Sequence, residues 1–95
     1  MLKIVAKNYV KLECKNAFVE AVKELIEETR KEKGCIKYEL FEDTNQQDVL
    51  TFIEEWESQE DLKNHSNSAH FTRIVPKLGE FTSKPMEISV YKKLI

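Results

Sequence analysis

Glycine is almost missing from this 95-residue sequence, which has only Gly34 and Gly79. Two glycines that far apart cannot form a GxGxxG dinucleotide turn or a phosphate-cradling loop, both of which need backbone free of Cβ atoms beside the ligand. No GxSxG elbow occurs, so a serine hydrolase triad has no support. Cysteine is as sparse: Cys14 and Cys35 form neither a CxxC pair nor a zinc-ligand set, and read as small buried thiols of a reduced, cytoplasmic protein. The only histidines, His65 and His70, do not fit HExxH, and no metal is expected. No apolar run approaches the roughly 20 residues of a membrane span, and no secretory apolar core follows the N-terminus. The 15 basic and 17 acidic residues are dispersed without a basic block, so neither nucleic acid nor membrane is expected as a partner. No flavin, nicotinamide, nucleotide or zinc apparatus is recognisable. Any redox chemistry is expected to come mostly from the substrate, with no cofactor.

What is present is strong periodicity. Residues 2–11 alternate, with Ile4, Ala6, Asn8 and Val10 in one row and Val5, Lys7 and Tyr9 in the other, as in a strand. Asn8 is the one polar side chain in the more apolar row. Residues 16–33 place Phe18, Val22, Leu25, Ile26 and Thr29 at helical spacing, with Asn16 as a candidate cap, Gly34 as a left-handed terminus, and Glu27 and Lys31 at an i,i+4 spacing. Residues 35–42 alternate again, with Ile36, Tyr38 and Leu40 in one row. Residues 49–57 do so with Leu50, Phe52, Glu54 and Trp56 in one row. Ser58 and Asp61 form an approximate capping box for a short helix to about His65. Ser68 caps a second segment carrying Phe71, Ile74, Val75 and Leu78, in which Pro76 marks a kink or restart. Residues 80–85 read as a loop and 86–95 as a last strand.

The order β-α-β-β-α-β, with its second helix broken in two, predicts an α+β, ferredoxin-like split βαβ fold. A single domain over 1–95 would carry one four-stranded antiparallel sheet with helices on one face. The other face still holds Val5, Tyr9, Phe41, Val49, Ile53 and Tyr91, and no second helical layer exists to cover them. The same face of another copy would, which predicts a homodimer.

The segment FIEEWESQEDLKNHSNSAHF, residues 52–71, gathers the only tryptophan and both histidines. A strand ending in Glu54-x-Trp56-x-Ser58, a short helix with Leu62 and His65, then a polar break before His70 and Phe71 resembles the antibiotic biosynthesis monooxygenase domain, and most closely its small quinol-monooxygenase-like branch. The likeness extends to the early helix and to EKGCIKYEL. It implies a dimeric α/β barrel, with sheets packed face to face and a pocket between sheet and helices in each subunit. Members of the family oxygenate quinols or anthrones without a cofactor, degrade haem, or isomerise a phosphorylated dione. The haem branch needs an axial histidine in its last helix, where this chain has Val75. The isomerase branch needs cations for a phosphate, with Arg30, Lys37 and Arg73 as candidates.

The resemblance thus implies a cofactor-independent monooxygenase acting with O2 on a quinol or similar hydroxylated aromatic. The alternatives are an isomerase of a small carbonyl compound or a non-catalytic small-molecule-binding module. His65 and His70 are the candidate bases, because an imidazole near its neutral pKa can remove a phenolic proton. Asn8 is the candidate donor polarising a bound oxygen, since family members place an asparagine there. Trp56, Tyr38, Phe41 and Phe71 are the candidate pocket walls.

Overall fold

Alternation in the first ten residues does produce a strand. The computed structural model describes residues 1–95, and its first element is β1, Leu2–Val10. A short 3-10 turn, Leu12–Cys14, leads into α1, Lys15–Thr29. Then come β2, Cys35–Glu42, and β3, Val49–Trp56. Two short helices follow, α2, Gln59–Ser66, and α3, Ala69–Ile74. A 3-10 stretch, Val75–Phe81, leads into β4, Thr82–Lys92. The strands form one antiparallel sheet in the order β2-β3-β1-β4, which is the ferredoxin-like arrangement.

The inward rows of β1 and β3 meet the apolar stripe of α1. Ile4, Ala6 and Val10 on β1, and Leu50, Phe52 and Trp56 on β3, are buried with Phe18, Val22 and Leu25 of α1. Trp56 and Phe18 are wholly enclosed, and side chains of this size each contribute about 2–3 kcal/mol relative to exposure.

Several local expectations need correction. The helix begins at Lys15 and stops at Thr29; Cys14 occupies the N-cap without a side-chain hydrogen bond, so Asn16 caps nothing. Lys31 pairs with Glu28 at 2.8 Å rather than with Glu27. Residues 30–34 form a separate turn in which Gly34 takes φ +83°. On β2 the pairing steps from Cys35↔Trp56 to Lys37↔Glu55, so Ile36 is the extra residue of a bulge. Cys35 takes the inward place, where burial pushes its thiol up to about 11, and Ile36 turns outward at 47% exposure. β4 begins four residues before the expected Met86. Its register shifts between Lys7↔Glu87 and Tyr9↔Lys84, so the ladder is interrupted around Pro85, which has no N–H to donate.

Both serine caps form as expected. Ser58 Oγ accepts from Asp61 N at 3.1 Å, and Ser68 Oγ accepts from Phe71 N at 3.3 Å. Pro76 sits in the first turn of the 3-10 stretch, where its missing N–H costs little. No helix is long and apolar enough to cross a membrane.

Candidate active site

A cavity of about 230 Å³ lies between the inward face of the sheet and the α2–α3 segment. Its walls are apolar except for Glu54, His65 and Ser66. Phe52 and Ile4 form the floor, Leu62 and Phe71 the roof, and Met86, Ile88 and Val90 of β4 the side. Ile88 and Val90 are more than half exposed, because the helices cover β1–β3 and leave β4 open.

His65 stands in the last turn of α2 at 2% exposure. Three rings enclose it: Trp56 at 4.7 Å between centroids, Phe71 edge-on at 5.0 Å and Tyr38 edge-on at 5.3 Å. Its Nδ1 lies 2.7 Å from Glu32 Oε2, and His70 Nε2 lies 2.8 Å from the same oxygen. A carboxylate oxygen accepts, so each of these nitrogens carries a proton. That tautomer leaves His65 Nε2 bare. Nε2 has no protein partner, and the only enclosed side-chain polar atom without one is Thr29 Oγ1, so Nε2 remains open to the cavity that His65 lines. Burial drives the His65 pKa below its ordinary value, against the opposing pull of the Glu32 hydrogen bond and charge. His65 is therefore neutral and basic at pH 7.

The break between α2 and α3 is what lets both histidines reach one carboxylate. In an unbroken helix, residues five apart point about 140° away from each other. Here Asn67 leaves the helical conformation, and Ser68 ties the break by donating from Oγ to His65 O at 2.7 Å while capping α3. Glu32 is fixed from the other side. Its N–H donates to Thr29 O at 3.0 Å, and its own O accepts from Cys35 N at 3.2 Å. Gly34 completes the turn, and a Cβ at that position would overlap the Asp61 carboxylate of α2.

Glu54 is the second ionisable group in the cavity, at 5% exposure. Trp56 Nε1 donates to its Oε1 at 2.9 Å, and Oε2 has no protein partner. Burial pushes its pKa up to about 7, helped by the Glu32 charge and resisted by the Trp56 hydrogen bond. Tyr38, paired with Glu54 across the sheet, is raised far above its ordinary value, first by burial and then by the charges of Glu54 and Glu32.

The expected site residues thus separate into three groups. His65, Tyr38 and Phe71 line the cavity. Trp56 and His70 stand behind it, Trp56 holding Glu54 and stacking on His65, and His70 holding Glu32. Asn8 and Phe41 lie elsewhere. Asn8 Nδ2 donates to Ala6 O and Leu50 O, both at 3.3 Å, and the side chain borders an adjoining cavity of about 200 Å³ beside Pro85. Phe41 is one residue out of phase with the inward row, is 46% exposed, and borders a wide groove of about 830 Å³ between α1 and β2. That groove holds only surface charges such as Lys23, Glu27 and Arg30, with no buried titratable group.

The sequence reading missed two residues. Glu54 had a signal, a carboxylate in an otherwise apolar strand row. Glu32 had none, because its partners lie 33 and 38 positions away. The ligand atoms of Glu32, His65 and His70 all lie within 4.8 Å of one another, a donor set known from metal centres. Their N···O separations of 2.7 and 2.8 Å are hydrogen-bond distances, shorter than the about 3.3 Å between donors around a tetrahedral zinc ion.

Comparison with known proteins agrees with this fold. The family model described as antibiotic biosynthesis monooxygenase matches residues 1–77. The crystal structure of a conserved protein from Methanosarcina mazei superposes with a TM-score of 0.96 at 42% identity, covering 98% of this chain and 92% of that one. YcnE of Bacillus subtilis, provisionally named a monooxygenase, is 30% identical over 90% of this chain and 92% of its own length. A Synechocystis protein is 34% identical over 94% of this chain, which spans 61% of that protein's length.

Proposed function

The chain belongs to the antibiotic biosynthesis monooxygenase family, and from that premise we propose that its cavity oxygenates a neutral hydroxylated aromatic, such as a one- or two-ring quinol, with O2 and no cofactor. The observation that carries this reading is the bare Nε2 of a buried, neutral His65 in an apolar cavity of about 230 Å³. A quinol hydroxyl placed against Nε2 loses its proton to the imidazole, and Glu32 stabilises the resulting imidazolium. The electron-rich anion then transfers one electron to O2, and the radical pair recombines at ring carbon. Apolar walls exclude water while this happens. His70 and Trp56 act through Glu32, His65 and Glu54 rather than on the substrate. Asn8 polarises oxygen from the adjoining cavity that it borders.

The electrostatics of the cavity favour this substrate class over a phosphorylated dione. No lysine or arginine lines it. Arg30 donates to Tyr38 O from the opposite groove, Arg73 pairs with Glu24, and Lys37 lies in the outward row of β2. The test is O2 uptake with a panel of benzene- and naphthalene-diols. Uptake that exceeds the uncatalysed rate and falls with His65→Ala supports the proposal, and uptake unchanged by the protein overturns it.

A homodimer through the helix-free face completes the proposal. Phe41 and Tyr91 are exposed there, with Val5 and Ile53 between them half-buried. A partner sheet laid on this face would cover all four side chains. Sedimentation of the wild type and of Ile53→Lys tests it: a dimer that becomes monomeric is expected, and a monomeric wild type excludes it.

A further inference from the structure

We infer that Glu54 is a catalytic acid of this site, its open carboxyl oxygen delivering a proton to the peroxide that forms on the substrate ring. The inference rests on the oxygenase reading above and assigns it a second proton-transferring group. Glu54 occupies the centre of the sheet, paired with Ile4 on one side and Tyr38 on the other. A carboxyl there cannot escape to water. Had the position served only to satisfy the Trp56 N–H, one acceptor oxygen would do. The second oxygen instead stays free on the cavity side, in the same space that His65 lines. The titratable groups facing Glu54 are Tyr38 and Cys35 from β2, His65 from α2 and Glu32 from the turn after α1, with no lysine or arginine among them. Near neutral pH the carboxyl is therefore available in its protonated form, as a general acid must be.

The steps balance with these two groups. His65 takes the hydroxyl proton. The anion gives one electron to O2, and superoxide joins the ring carbon next to the oxidised oxygen, forming a C–O bond and a peroxide anion. Glu54 protonates the distal oxygen. Its carboxylate then removes the hydrogen from that ring carbon. The C–H electron pair becomes C=O, the O–O bond breaks, and hydroxide leaves. The His65 imidazolium protonates the hydroxide. The sum is quinol plus O2 giving hydroxyquinone plus water, with both side chains restored. Without the acid step the radical pair has another exit, to quinone and hydrogen peroxide.

The experiment follows isotopically labelled O2 with naphthohydroquinone, comparing wild type with Glu54→Gln, which keeps an acceptor for Trp56 Nε1. Glu54→Gln is expected to keep consuming O2 but to place roughly ten-fold less label in the quinone, with hydrogen peroxide rising to match. Wild-type labelling in Glu54→Gln overturns the role and leaves the oxygenase reading standing. A wild type that does not accelerate quinol consumption overturns both. If Glu54→Gln does not fold, the wild type carries the test. Its yield of labelled quinone relative to peroxide, corrected for the uncatalysed reaction, is expected to fall as pH rises from about 6 to about 9. A flat ratio overturns the role.

Discussion

Glu32 and His65 are 33 positions apart in the sequence, and Glu32 Oε2 lies 2.7 Å from His65 Nδ1. That one contact fixes the tautomer of a buried imidazole, and with it the nitrogen left open to the cavity. Glu32→Gln keeps the side chain's size and removes the charge. Its expected effect is a loss in kcat of about 10²-fold with KM little changed, because imidazolium stabilisation is needed in the transition state and not in binding. Steady-state O2 uptake measures it.

The two histidines separate by function. His65→Ala is expected to abolish turnover to within about 10²-fold of the uncatalysed rate or lower. His70→Ala, which removes only the second donor to Glu32, is expected to cost about ten-fold or less. Burial lowers the His65 pKa, so the acid limb of the wild-type pH–rate profile should lie below the ordinary imidazole value of 6.5. A limb above 6.5 would identify a different base.

Gly34 has φ +83°, and its missing Cβ leaves room for the Asp61 carboxylate. Gly34→Ala meets a strained backbone angle and a steric overlap together. It should destabilise the fold by about 2 kcal/mol or more. Because residue 34 anchors the turn that carries Glu32, the folded fraction should also lose activity. Thermal unfolding, with activity normalised to folded protein, separates the two effects.

The raised pKa of Glu54 gives a stability signature independent of catalysis. The folded carboxyl binds its proton more tightly than the unfolded one, whose ordinary pKa is 4.5. Stability from this group is full below 4.5 and is lost as pH rises towards about 7. Glu54→Gln removes that loss, so it should gain stability relative to wild type between pH 4 and pH 8, by up to about 3 kcal/mol. Denaturant unfolding at the two pH values measures it, and an unchanged difference would mean that the carboxyl titrates alike in the folded and unfolded states.

Sheet order and core were legible because they rest on local periodicity. The inward rows of β1 and β3 and the stripe of α1 repeat at two residues and at 3.6, and both serine caps carry their partner three residues on. The bulge at Ile36 was not legible, since a simple alternation fits the residues around it equally well; the register against β3 decides it. His65 was found through its helix end and its polar break. Glu32 lay hidden among Lys31, Lys33 and their charged neighbours, where nothing distinguishes a solvated carboxylate from one that two distant imidazoles converge upon. Phe41 was misplaced for a different reason. Aromatic character suggested a pocket wall, although its row parity pointed away from Tyr38.

Glu32, His65 and Glu54 are carried by the turn after α1, the end of α2 and the central strand β3, whereas the side wall of the cavity belongs to β4, an edge strand with one neighbour in the sheet. Chemistry and fit therefore reside on different pieces of chain. Replacing Met86, Ile88 or Val90 changes the dimensions of the chamber without touching the Glu32–His65 contact or the Trp56–Glu54 hydrogen bond. A lineage built on this frame could change the molecule it accepts by altering one peripheral strand and keep its reaction intact.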